Sequence, residues 1–109
     1  MIKKDIEQLE YLLKQLACEL KAVEFWQALP PSDAALSSSA PFCYDTLSFQ
    51  QWLQFIFIPK MIQLITSAQP LPRKIALTPM AEESFKHLVG QGQQLIDIIQ
   101  RIDLALSEQ

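Results

Sequence analysis

The first part of the chain carries an apolar stripe with the period of an α-helix. The stripe advances by alternating steps of four and three through Ile2, Ile6, Leu9, Leu13, Leu16, Leu20 and Val23. This spacing places the apolar side chains along one side of a helix, while charged residues such as Glu10 and Lys14 lie off the stripe. The pattern therefore predicts a long amphipathic helix whose apolar side packs against another element.

A second helix is predicted in the middle of the chain, and its start is well marked. Ser48 has a side chain that can cap a helix, and Gln51 lies three residues later, so the helix begins at about Phe49. The polar side of this helix changes at Pro59. Because proline has no N–H to donate to the carbonyl of Phe55, we expect a kink there. Alternatively, Pro59 ends one helix and opens another.

Two further helices complete the pattern. Thr78 as the cap and Pro79 in the first turn begin the third helix, whose apolar residues are Met80, Phe85, Leu88 and Val89. A break is expected at Gly90-Gln91-Gly92, and the four-three spacing then returns through Leu95, Ile99, Ile102 and Leu106, which makes the last helix a natural partner for the first. The predicted fold class is all-α: a small four-helix bundle with a proline-kinked central helix and long connecting loops, forming a single domain over residues 1–109.

Charge and hydropathy limit the classes of partner. The net charge is −3, and the nine Lys and Arg residues are scattered, so direct nucleic-acid binding is not expected. The chain lacks both a run of about 18 apolar residues that could span a bilayer and the pattern of an export signal. We therefore expect a cytoplasmic protein that does not act at a membrane, with Cys18 and Cys43 as free thiols.

Motifs for catalysis or metal binding are weak. His87 is the one histidine, and with two distant cysteines it does not form a metal-ligand pattern, so we expect no metal or cofactor. Thiol chemistry would need Cys43 beside His87, with Asp45 as the orienting group, and it ranks last because structural cysteines are far more common. Arg73 and Lys74 precede the third helix and are candidates for binding an anion, although two solvated loop cations are the commoner case. The protein is accordingly not expected to be an enzyme.

The segment from Gln27 to Pro72 is unusually apolar. It contains six of the ten aromatic residues and only three charged ones. Most of these aromatic side chains must belong to the core, but a helix that is apolar on nearly every side needs more cover than three other helices provide. We interpret the excess as an interaction surface or an apolar pocket. The candidate residues are Phe49, Trp52, Phe55, Phe57 and Pro59.

Five short motifs lie close together in the same segment: Pro41-Phe42, Asp45-Thr46, Trp52-Leu53-Gln54-Phe55, Ile58-Pro59-Lys60-Met61 and Pro70-Leu71-Pro72. In this combination the segment resembles the YqcC-like family of small bacterial helical proteins. The resemblance implies an all-helical bundle in the bacterial cytoplasm and brings no catalytic residues. Genes of this family often lie beside a tRNA pseudouridine synthase, which suggests a supporting role in RNA modification.

Two functional hypotheses remain. The first is a non-enzymatic interaction module whose apolar middle segment binds a protein partner, such as a tRNA pseudouridine synthase, or a second copy of the chain in a homodimer. The second is a small-ligand-binding protein in which the kinked helix lines an apolar pocket with Arg73 or Lys74 at its mouth. A flat exposed aromatic patch favours the first hypothesis, and a deep enclosed cavity favours the second.

Overall fold

A computed structural model describes residues 3–88, 90 and 92–107, and all regular structure in this part of the chain is helical. The helices are α1 (Lys3–Ala22), α2 (Asp33–Leu36), α3 (Phe49–Trp52), α4 (Ile58–Thr66), α5 (Thr78–Phe85) and α6 (Gly92–Ser107). A π-helical turn, Leu53–Phe57, joins α3 directly to α4, and a 3-10 turn spans Pro41–Cys43. The all-α prediction is confirmed. Ile2, Val89 and Gln91, which the sequence assigns to the first helix, the third helix and the break, lie outside the described residues.

The two striped helices pack against each other. Along α1, the stripe residues Leu9, Leu13, Leu16 and Leu20 are buried, and along α6 so are Leu95, Ile99, Ile102 and Leu106. Each fully buried leucine or isoleucine side chain contributes about 1.5–3 kcal/mol relative to an exposed one. This pair of helices is therefore a main source of stability for the fold, as the matching stripes predicted.

Helices α1 and α4 end in the same left-handed turn. After α1, Glu24 has a φ of 64°, and the N–H of Phe25 donates to the carbonyl of Leu20 at 2.8 Å. After α4, Ala68 has a φ of 56°, and the N–H of Gln69 donates to the carbonyl of Leu64 at 2.9 Å. These bonds satisfy carbonyl groups that a helix end would otherwise leave unpaired. Each turn reverses the chain sharply and fixes the path of the residues that follow.

The predicted start of the second helix is confirmed. The Oγ of Ser48 accepts a hydrogen bond from the N–H of Gln51 at 3.3 Å, and the Gln51 side chain accepts one from the N–H of Ser48 at 2.8 Å. This reciprocal cap satisfies two helix-end donors using residues only three apart.

A π-helical turn precedes Pro59. The N–H of Ile58 donates to the carbonyl of Leu53, five residues back, and the backbone keeps helical angles at Phe57 (φ −65°, ψ −55°) and Ile58 (φ −61°, ψ −49°). Pro59 lies in the first turn of α4 and has no N–H to donate to the preceding helical turn. The structure thus joins two helices through a change of hydrogen-bond pattern, and the kink and the exact four-helix arrangement stay predictions.

One buried amide ties the connection after α1 to this π-helical turn. The side chain of Gln54 is 6% exposed; its Oε1 accepts from the N–H of Gln27 at 2.9 Å, and its Nε2 donates to the carbonyl of Gln27 at 2.8 Å. Both polar ends of the amide are thereby satisfied, as burial requires. The long connection therefore leaves α1 at a fixed position against the central helix.

The cap of α5 differs from the prediction. The prediction that Thr78 caps this helix is wrong: the helix includes Thr78, and no side chain from its own N-terminus caps it. Instead the carboxylate of Asp103 on α6 accepts hydrogen bonds from the N–H of Leu77 at 3.0 Å, from the N–H of Thr78 at 2.8 Å and from its Oγ1 at 2.6 Å. An anion at a helix N-terminus is favourable, and here it also joins two helices.

The start of α6 requires a glycine. Gly92 is buried in the first turn, and a Cβ atom on it would overlap the carbonyl oxygen of Phe85. The absence of a side chain therefore lets α6 begin directly against the end of α5. Among the helices within the described residues, none combines the length and the apolar character that crossing a membrane requires.

Candidate functional site

Most of the aromatic excess forms an internal cluster. Phe49 and Phe57 are 6% and 2% exposed, and Trp52 stacks on Phe57 with ring centroids 5.4 Å apart. The ring of Phe42 meets Trp52 edge-on at 4.9 Å. Just after the 3-10 turn that carries Phe42, the Oγ1 of Thr46 donates to the carbonyl of Ala35 in α2 at 2.7 Å. The cluster therefore attaches the long connection to the core.

The five predicted surface residues divide between core and surface. Phe49 and Phe57 are buried, Trp52 and Phe55 are partly buried, and Pro59 is exposed. The structure thus places only part of the set where a partner could touch it. The surface beside Pro59 is formed mainly by residues that the sequence did not single out.

That surface is an apolar groove of about 330 Å³ between α1 and α4. Leu13 and Ala17 of α1 form one wall, Ile58 and Ile62 of α4 form the other, and Trp26 closes one side. Ile62 is 50% exposed although it is a large apolar residue. We call this region, lined by Glu10, Leu13, Lys14, Ala17, Trp26, Ile58 and Ile62, the α1–α4 groove.

The position of Trp26 in the α1–α4 groove is fixed from three directions. The left-handed turn at Glu24 sets the chain path before it, and the Gln54 amide holds Gln27 directly after it. The ammonium group of Lys21 lies 4.9 Å from the centre of the indole ring, a cation–π contact that orients the ring. Trp26 remains 36% exposed, so an aromatic surface is presented at the groove in a defined orientation.

Charged groups at the edge of the groove are available to a partner. Glu10 and Lys14 line it one turn apart, and the one ion pair within the part of the chain that the structure describes is Lys86–Glu83, at 3.1 Å. An apolar floor with unpaired charges at its edge matches the usual anatomy of a protein-binding site. The groove can therefore bury an apolar side chain and orient its neighbours through charge.

A second cavity, of about 470 Å³, lies at the C-terminal end of α4. Its apolar walls include Leu64 and Ile65 of α4 and Ile6 of α1, and Arg73 lies in its lining. Lys74, the other predicted anion-binding residue, is exposed and does not line it. We call this the α4-end cavity; its described lining residues are Ile6, Leu64, Ile65, Ala68, Gln69, Pro70, Leu71 and Arg73.

In the structure, the three groups of the thiol hypothesis have different surroundings. Cys43 is buried, with its Sγ 3.7 Å from the carbonyl oxygen of Ser38, and Asp45 accepts a hydrogen bond from the Oγ of Ser38 at 2.6 Å. His87 is exposed in the turn after α5. Among the described residues, no cluster of three or more His, Cys, Asp or Glu side chains could hold a metal ion.

Sequence reasoning missed the role of Trp26, Ile58 and Ile62 in the groove. Ile58 and Ile62 lie one helical turn apart and flank Pro59, so their shared side was visible in the sequence. Their exposure was not, because it depends on where the connection after α1 crosses the central helix. Trp26 falls just beyond the last residue of the α1 stripe, where the periodic pattern gives no information.

The fold and these sites define a small all-helical protein whose candidate sites are surface cavities. The chain belongs to the DUF446 family, whose description is tRNA pseudouridine synthase C and whose model matches residues 8–105.

Similar proteins agree with this assignment. An uncharacterized protein of Haemophilus influenzae is 42% identical over 84 residues, which cover 77% of this chain and 78% of the relative. Protein YqcC of Escherichia coli is 27% identical over 96 residues and 88% of both chains. Its solution NMR structure superposes with a TM-score of 0.83, covering 95% of this chain and 89% of that one. The resemblance to the YqcC-like family is therefore confirmed.

A third relative is much longer than the segment it shares. The tRNA pseudouridine synthase C of Pectobacterium carotovorum is 43% identical over 54 residues, which make up 50% of this chain and 14% of the relative.

Proposed function

We propose that the protein is a non-enzymatic interaction module of the cytoplasm that binds tRNA pseudouridine synthase C and supports tRNA pseudouridine synthesis. The α1–α4 groove receives an apolar segment of the synthase. The observation that carries this proposal is the pair of exposed apolar side chains, Trp26 and Ile62, held in a fixed frame around an apolar floor. Exposed, preorganised aromatic and aliphatic side chains of this kind are typical anchors of protein interfaces.

The relationships of the chain support this choice of partner. Its family carries the description tRNA pseudouridine synthase C, and a segment similar to half of this chain occurs within a longer relative of that name. When two modules share one chain, their effective concentration is high, whereas separate chains need an interface to meet. A binding surface on the separate small protein keeps it together with the synthase in the same way.

The position of the groove beside Pro59 also supports the proposal. Single π-helical turns are frequent at functional sites, and here one directly precedes the α4 wall of the groove. The predicted bend of the central helix at Pro59 belongs to the same proposal, because it would splay α4 away from α1 where Ile58 and Ile62 line the groove. The net negative charge favours contact with the enzyme over contact with tRNA.

The test compares two exposed apolar residues. Ile62→Ala removes an anchor from the groove, and Leu104→Ala removes a side chain of similar size and exposure, 58%, from α6 outside it. We expect wild-type protein to bind the purified synthase of the same bacterium in titration calorimetry. Ile62→Ala should weaken the Kd about tenfold, equivalent to about 1.4 kcal/mol, and Leu104→Ala should leave it unchanged.

Unfolding midpoints provide the control for this experiment. Both substitutions are at exposed positions, so both variants should keep the stability of the wild type within about 0.5 kcal/mol. The proposal fails if wild-type protein does not bind the synthase, or if both variants bind equally well. Self-association that Ile62→Ala abolishes would identify a second copy of the chain as the occupant and would also overturn the proposal.

The alternative function, binding of a small ligand, is supported by a different cavity. Among the described lining residues, the α4-end cavity combines apolar walls with one cationic side chain, whereas the α1–α4 groove carries both signs of charge at its edge. No described residue lines both regions, so the two functions can be tested separately.

A further inference from the structure

We propose that the α4-end cavity binds a small molecule with an apolar body and a single carboxylate group. The cavity volume, about 470 Å³, falls within the range of about 300–1,000 Å³ that is usual for small-molecule sites. This site is separate from the α1–α4 groove, and its occupancy does not depend on the synthase.

The walls of the cavity are suited to an apolar body. Ile6, Leu64 and Ile65 are partly buried, so each offers apolar surface that the described part of the fold leaves uncovered. Leu71 is 8% exposed and anchors the returning loop against the core. Burying such surface against the apolar part of a ligand is favourable.

The turn at the end of α4 shapes the opposite wall. Ala68 adopts a left-handed conformation, and the hydrogen bond from Gln69 to Leu64 closes the turn at 2.9 Å. The chain therefore reverses over the last turn of α4 and returns through Pro70 and Leu71 to Arg73. This path brings Arg73 into the lining of a cavity whose other described lining residues are mostly apolar.

The charge of the lining selects the head group. Arg73 is the one charged residue among the described lining residues, and a guanidinium binds a carboxylate through two parallel hydrogen bonds. A phosphate dianion would call for a second cation, and Lys74 does not line the cavity. One cation beside an apolar space therefore matches a monoanion attached to an apolar chain or ring.

Octanoate is a suitable probe, with 1-octanol as its neutral counterpart. We expect octanoate to shift the backbone amide signals of the lining residues Ile6, Ile65 and Ala68 in NMR titrations of the full chain. Arg73→Gln should weaken octanoate binding about tenfold, since it removes the bidentate partner of the carboxylate. Lys74→Gln, the neighbouring exposed cation, is the matched control and should bind octanoate as the wild type does.

Octanol should bind wild type and Arg73→Gln equally, because it has no charge for Arg73 to recognise. The proposal is overturned if octanoate leaves the lining signals unmoved, if Arg73→Gln binds octanoate as tightly as wild type, or if inorganic phosphate alone occupies the site. None of these outcomes bears on synthase binding, which is measured through Ile62. Arg73 is exposed, so loss of folding does not confound the comparison.

Discussion

At the scale of single residues, Ala68 adopts a backbone conformation that glycine adopts at lower cost. Its φ of 56° lies in the left-handed region, which costs an L-residue roughly 1–2 kcal/mol. Glycine is the usual residue at this position of a helix-ending turn. We predict that Ala68→Gly raises the free energy of unfolding by about 0.5–1 kcal/mol, after allowing for the greater freedom of glycine in the unfolded chain. Urea unfolding at equilibrium measures the change.

The matched control is Ala22→Gly, in the last turn of α1, where the backbone is helical. Glycine should there lower the free energy of unfolding by about 0.5–1 kcal/mol. Opposite signs for the two substitutions would establish the turn in solution. A loss of stability in both would contradict it.

The second residue-scale prediction concerns Asp103, whose carboxylate caps α5 from another helix. Removing it leaves the N–H of the buried Leu77 and that of Thr78 without their acceptor. Hydrogen bonds to a charged group contribute about 1.5–3 kcal/mol, so Asp103→Ala should lower stability by about that amount. Asp97→Ala is the control, because Asp97 is exposed and accepts one hydrogen bond from the side chain of Gln93. Equal thermal midpoints for the two variants would rule out the capping role.

The caps of α3 and α5 show which contacts local sequence can predict and which it cannot. Ser48 and Gln51 are three residues apart, so their reciprocal cap depends on local conformation and was predictable. Asp103 acts on Thr78 across 25 residues, and its role depends on how α6 packs beside α5. Thr78 has the residue type of a cap, but its hydroxyl instead donates to the carboxylate.

At the scale of helices, the π-helical turn is stabilised by the Gln54 amide. Gln54→Ala removes both hydrogen bonds to the backbone of Gln27, and we predict a loss of about 1–3 kcal/mol together with faster hydrogen exchange at the Gln27 N–H. Gln63→Ala, on the exposed side of α4, should change neither quantity. Unchanged exchange at Gln27 in Gln54→Ala would show that the amide does not hold the connection.

The sequence predicts the stripes of α1 and α6 because they repeat a helical period over several turns. The π-helical turn differs from an α-helical turn by one residue in its hydrogen-bond pattern, and Pro59 alone is compatible with a kink, a helix start or this turn. The side chain that accompanies the turn, Gln54, bonds to a residue 27 positions away. No local sequence pattern distinguishes a kink, a helix start and a π-helical turn at Pro59.

At the scale of the whole molecule, charge determines the expected behaviour toward RNA. With a net charge of −3 and scattered cations, the isolated protein should show no saturable, salt-sensitive tRNA binding at physiological salt. Fluorescence anisotropy of labelled tRNA measures this, with the purified synthase as the positive control. Micromolar or tighter binding that weakens as salt rises would contradict the prediction.

The sequence predicted roughly where the candidate surface lies, but not which residues form it. Pro59 follows Ile58 of the α1–α4 groove, but Phe49 and Phe57 are in the core. The long connection supplies Phe42, which packs against Phe49 and against Trp52. The apolar excess of the central segment is thus partly absorbed by a loop whose path the helical periodicity does not encode.

The two tryptophans of the chain stand in different surroundings, and this provides an internal optical reporter. Trp52 stacks on Phe57 inside the aromatic cluster, whereas Trp26 lies at the α1–α4 groove beneath Lys21. Indole emission shifts to shorter wavelength when water is excluded from the ring. In a Trp52→Phe variant, which retains an aromatic ring in the cluster, the emission of Trp26 would be the sole signal, so occupation of the groove could be followed without an attached dye.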